Sequence, residues 1–98
     1  MVTKDDVFKA LMNVVDPDIG VDVVSLGLIY DVKVSEDEVF VLFTLTFPGC
    51  PYADFLVNEV KETVSELSGV KSVEVRLTFD PPWNPDKIDP DIRAALNI

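Results

Sequence analysis

The sequence predicts a two-layer α/β (α+β) sandwich in the order helix, strand, strand, helix, strand, with a small mixed sheet and a short C-terminal helix. Three observations carry this. Apolar residues recur at helical spacing over 7–15 and again over 53–67; they alternate over 28–34, Ile29 excepted, and cleanly over 73–79; and Val39–Phe47 is apolar on both faces at its start. Thr3 can cap the first helix, Asp5 and Asp6 suit its first turn, and Val7, Ala10, Leu11, Val14 and Val15 mark one face. Pro17 disfavours helical geometry at Asp16, so this helix is expected to run to about that point. Asp16–Gly27 then reads as a connector, rich in turn formers yet carrying several apolar residues, and such loops often serve function.

Leu28–Ser35 is the first expected strand, with Leu28, Tyr30, Val32 and Val34 on one side. A polar turn through Glu36 and Asp37 joins it to the second, Val39–Phe47, as a hairpin. Pro48-Gly49-Cys50-Pro51 breaks the chain. A helix follows over Tyr52–Leu67, with Pro51 as its first residue, Leu56, Val60 and Val64 on its stripe and Gly69 as its C′ stop. The third strand, Ser72–Phe79, returns parallel to the second, because a crossover helix joins them. Asp80-Pro81-Pro82-Trp83-Asn84-Pro85 enforces an extended tail, which Trp83 is expected to pin to the body of the domain. Asp89 and Pro90 suit the N-cap and first position of a last helix with Ile92 and Leu96 facing inward.

The 98 residues suffice for one domain, 1–98, and not comfortably for two. Eighteen acidic against eight basic residues give a formal charge of −10, which disfavours nucleic acid and anionic membrane surfaces as partners. No apolar run is long enough to cross a bilayer, and charged residues at Lys4, Asp5 and Asp6 do not suit a signal peptide, so a cytoplasmic protein is expected. There is one cysteine, hence no intrachain disulfide, and no histidine, which removes the Ser–His and Cys–His nucleophile pairs and the usual imidazole metal ligands.

Cys50 carries the strongest chemical signal. Beside Gly49 and Pro51 it falls near the expected N-cap of the second helix, where the dipole and free N–H groups favour a thiolate. The plain alternative is a small buried hydrophobe. Thr44 and Thr46 share a face of the second strand, either for β-propensity alone or, for Thr46 above all, as a pocket floor leading to Cys50. Asp16 and Asp18 flank Pro17, as turn and cap formers or as oxygen groups that shape a site over the thiol. One thiolate with carboxylates does not make a stable zinc site.

Four motifs in order, Asp16-Pro17-Asp18-Ile19, Val24-Ser25-Leu26-Gly27-Leu28-Ile29-Tyr30-Asp31, Thr44-Leu45-Thr46-Phe47-Pro48-Gly49-Cys50-Pro51 and Phe79-Asp80-Pro81-Pro82-Trp83-Asn84-Pro85, resemble the SufT and PaaD-like family of iron–sulfur cluster assembly domains. Asp18 stands where that family commonly has a longer acid. The resemblance implies an accessory or carrier factor that helps transfer clusters to client apoproteins, not an enzyme, with Asp16, Asp18, Thr46 and Cys50 as its functional residues. The phenylacetyl-CoA oxygenase branch usually carries a cysteine-rich extension, so the general assembly role is the expectation here. Cys50 is then a transient metal ligand. A cluster that usually takes four cysteines must be completed by a second protomer in a homodimer, by small thiols or by a client, and none is expected to be stably bound. Two other functions stay open: a small thiol-dependent enzyme, disfavoured by the lack of a histidine base and a second cysteine, and a protein-interaction adaptor in which Cys50 is inert.

Overall fold

Thr3 caps helix α1 (Lys4–Leu11) in the computed structural model, which describes residues 2–17, 19–46, 49 and 51–96. The cap is reciprocal: the Asp6 N–H donates to the Thr3 hydroxyl at 3.2 Å, and the Thr3 N–H donates to the Asp6 carboxylate at 3.0 Å. An eight-residue helix is marginal on its own, so packing must hold it, and Val7 and Leu11 are fully buried. Burying each contributes about 1.5–3 kcal/mol.

The helix ends at Leu11 and not near Asp16. Val14 lies at a helical spacing from Leu11 and is buried as expected, but it is buried from extended backbone. Its carbonyl accepts the Val23 N–H at 2.9 Å, and Val15 pairs antiparallel with Asp22, leaving the Val15 side chain exposed. Two adjacent β-branched residues favour that extended pairing over another helical turn.

The sheet has the order β1 (Ile29–Ser35), β2 (Glu38–Phe43), β3 (Ser72–Leu77), with β1 antiparallel and β3 parallel to the central strand. Both pairings are as expected. β2 and β3 are shorter than their apolar patterns suggest, which extend to Phe47 and Phe79. Beyond Phe43 the chain abandons alternation, since Phe43, Thr44 and Leu45 are buried in succession. Pairing does not stop abruptly: the Thr44 N–H donates to the Leu28 carbonyl at 2.8 Å and the Thr78 N–H to the Phe43 carbonyl at 2.9 Å.

Helix α2 (Ala53–Ser65) crosses from β2 back to β3 and buries Leu56, Val60 and Val64. It starts with Tyr52 as N-cap, so Pro51 precedes the helix rather than opening it. It also stops before Gly69; Glu66 is the C-cap, and Gly69 with its positive φ serves the turn into β3. The helices cover the face of Val32, Val39, Val41 and Phe43, giving one contiguous core. The other face stays open: Lys33 and Arg76 each lie over the half-buried Phe40 ring, at 5.9 and 5.8 Å. After a short 3₁₀ turn (Pro85–Lys87), helix α3 (Pro90–Leu96) is capped as expected by Asp89, whose carboxylate accepts the Asp91 N–H at 2.9 Å. Ile92 packs against the core, whereas the Leu96 side chain lies outside the described residues.

Candidate functional site

Asp16 and Thr46, the candidate residues that the structure describes, lie on the connector and on the continuation of β2, which are joined where the Thr44 N–H donates to the Leu28 carbonyl. The connector 12–28 is a miniature hairpin. The Asp16 N–H donates to the Val21 carbonyl at 3.0 Å, and the Gly20 N–H returns to the Asp16 carbonyl at 2.7 Å. Gly20 closes the turn at a φ of +81°, a conformation that suits glycine. Asp16 is thereby carried inward, to 2% exposure. Aspartate is almost never buried without a partner, and among the described residues no buried side-chain nitrogen or oxygen lacks one. Another connector aspartate, Asp22, caps the following turn, its carboxylate accepting the Ser25 N–H at 2.9 Å.

From the other side, β2 delivers Thr44 and Thr46. Thr44 is fully buried and its hydroxyl donates to the Leu45 carbonyl at 3.4 Å, so it is a structural residue. Thr46 is half-buried on the segment leading out of the sheet. Gly49, at a φ of +84°, and the exposed Pro51–Tyr52 turn lead on to α2, whose N-cap residue makes no side-chain capping bond. Its first N–H groups thus face the same end of the sheet as Thr46. Cys50 and Asp18 lie outside the described residues. Cys50 stands two positions before the Tyr52 N-cap in sequence, not at the cap itself. Among the described residues no group of three or more cysteine, histidine or acidic side chains could hold a metal.

The tail straps this end together. The Trp83 indole N–H donates to the Leu26 carbonyl at 2.7 Å, and the Asp89 N–H to the Ser25 carbonyl at 2.8 Å. The Tyr30 hydroxyl donates to the Pro81 carbonyl at 2.7 Å, and the Lys87 ammonium lies 5.0 Å from the centre of the Tyr30 ring. Gly27, at a φ of +74°, lies against the Lys87 backbone, where no side chain fits. Trp83 does pin the tail, as expected. Of the residues that place the connector, Gly27 and Tyr30 fall in one of the four motifs quoted above with no role of their own read from it, and Asp22 has only a generic turn signal. Two surface grooves, about 430 Å³ beside Lys33, Phe40 and Glu74 and about 410 Å³ between α1 and α2, lie on other parts of the molecule.

Chemically, the described residues offer a buried carboxylate at Asp16 and a half-buried threonine hydroxyl at Thr46; the single thiol of the sequence, Cys50, lies outside them. Among known proteins, residues 4–77 match the family described as iron–sulfur cluster assembly protein. The chain is 45% identical to the Fe-S protein maturation auxiliary factor YitW of Bacillus subtilis, over 97% of this chain and 94% of that one. It is 35% identical to the Fe-S protein maturation auxiliary factor SufT of Staphylococcus aureus, over 87% and 98%. The crystal structure of a domain of unknown function, DUF59, from Bacillus anthracis superposes with a TM-score of 0.92 at 34% identity, covering 97% of this chain and 92% of that one.

Proposed function

Because the chain belongs to the iron–sulfur cluster assembly protein family, we propose that it is an auxiliary factor in iron–sulfur protein maturation, with the cluster as its cargo. The likeness to auxiliary factors over nearly their full lengths carries this reading. Cys50 is the transient ligand. Its thiolate holds one iron while the remaining positions are filled by small thiols, a second protomer or the recipient apoprotein. One protein ligand suits delivery, because a recipient offering more thiolates outcompetes the carrier. Asp16 and Thr46 shape the site rather than bind iron, since clustered iron prefers sulfur to hard oxygen. No catalytic turnover is required of any residue, and the protein works in the cytoplasm.

The test is anaerobic reconstitution with iron and sulfide, followed by absorbance and Mössbauer spectra of wild type and Cys50→Ala. The isolated protein is expected to hold no stable cluster, and any cluster acquired should be labile and depend on Cys50. Cys50→Ala should keep the fold and melting temperature yet fail to restore iron–sulfur enzyme activity in cells lacking the protein. Normal activity with Cys50→Ala would overturn the thiolate mechanism in favour of an adaptor acting through its surface.

A further inference from the structure

The end of the sheet that carries the candidate site also exposes aromatic side chains. Phe55 is 49% exposed, and Tyr52 and Phe79 are each 37% exposed. Tyr52 and Phe55 stand three apart at the start of α2, so they share one side of that helix. The β2–α2–β3 crossover is parallel, which brings the start of α2 and the exit from β3 to the same end. Phe79 follows that exit directly, with Thr78 hydrogen-bonded to Phe43 at the end of β2. Water-facing aromatics beside a site of transfer mark a contact surface.

Charge identifies what the surface fits. Residues 10–32, 34–60 and 77–86 contain no lysine or arginine, and these stretches supply the connector, the cysteine turn, the start of α2 and the exit from β3. The same segments place Asp54 and Asp80 in solvent. The tail's two cations are engaged: Arg93 pairs with Asp86 at 2.9 Å, and Lys87 lies over Tyr30. A second copy would set this acidic end against itself in a two-fold contact, with −10 on each chain.

We propose that Tyr52, Phe55 and Phe79 form the docking surface for a cationic segment of the recipient protein, one carrying lysine or arginine beside apolar residues. The proposal rests on the reading of the protein as a delivery factor, and it names how the recipient is engaged. Phe55 and its neighbours supply the apolar contact, while Asp54 and Asp80 steer the approach.

The probe is a short synthetic peptide alternating arginine with leucine, titrated into the ¹⁵N-labelled full chain; its acidic counterpart, with glutamate for arginine, is the control. Shifts are expected to centre on the start of α2 and on 78–80. Phe55→Ser should weaken binding about tenfold, the size of an ordinary aromatic contact residue, and 0.5 M salt should weaken it further. Shifts centred on Glu62 and Glu66 or on the open sheet face, equal binding of the acidic peptide, or indifference to Phe55→Ser would each overturn the proposal. So would concentration-dependent dimerisation abolished by Phe55→Ser, which would make a second copy the occupant. The titration needs no cluster, so a failure of Cys50-dependent maturation would leave its result intact and strike the functional reading alone.

Discussion

Replacing Gly27 by alanine tests how tightly the connector is tied to the tail. A Cβ at this position would fall 2.8 Å from the Lys87 carbonyl carbon and Cβ, and closer still to the carbonyl oxygen. Two costs add. Holding a non-glycine residue at a φ of +74° costs about 1–2 kcal/mol. Forcing a methyl group against packed backbone costs about 1–3 kcal/mol more. Gly20 provides the control, since its φ is +81° but a Cβ there would meet nothing within 4 Å. Gly20→Ala should therefore cost only the first amount, and Gly27→Ala about 2–5 kcal/mol in total. Urea denaturation with an unchanged slope measures both. At about 4–8 °C per kcal/mol for a domain of this size, the two melting temperatures should separate by at least about 4 °C. Trp83 is the single tryptophan, so its emission reports whether the tail is displaced. Equal destabilisation by the two substitutions, with Trp83 emission unshifted, would refute the argument that Lys87 backs onto Gly27.

Trp83→Phe keeps an aromatic ring but removes the indole N–H and orphans the carbonyl of the buried Leu26, and should cost about 1–3 kcal/mol in chemical denaturation. Raising salt from 0.05 to 0.5 M should raise the melting temperature, because relief of self-repulsion at a charge of −10 outweighs the four exposed ion pairs among the described residues; a fall would show that those pairs matter more. Gel-shift titration with duplex and single-stranded DNA at physiological salt should show no complex, and micromolar retention would contradict the charge argument.

Local chemistry made much of the fold legible. Thr3 with Asp6 and Asp89 with Pro90 announce helix starts within a few residues of chain, and the cross-strand alternation of Val32, Val39, Val41 and Val73 sets the sheet and its direction. What resisted reading was decided by partners distant in sequence. Val14 satisfies helical spacing, yet its carbonyl is taken by Val23 and the helix stops short. Thr44 suits a strand face, yet it is fully buried where the strand ends. Asp22 gave no sign that it, among the connector aspartates, would cap the turn at Ser25. At the candidate site, the buried position of Asp16 follows from the turn closed at Gly20, whereas the helix start expected beside Cys50 lies at Tyr52.

The strap across the connector has a kinetic consequence. Its ties join residues far apart in the chain, 57 positions between Leu26 and Trp83 and 51 between Tyr30 and Pro81. Such long loops close late, after the hairpin of β1 and β2 has formed from near neighbours. Apolar contacts accompany them: Ile88 is buried in the core, and Trp83 and Ile92 pack against it. Opening the strap would expose Ile88 and the connector's Leu26, which belong to the one contiguous core, so this end is expected to unfold together with the rest of the domain. The Asp89 amide, bonded to Ser25 across the strap, should then exchange its proton with solvent on the same clock as the core amides.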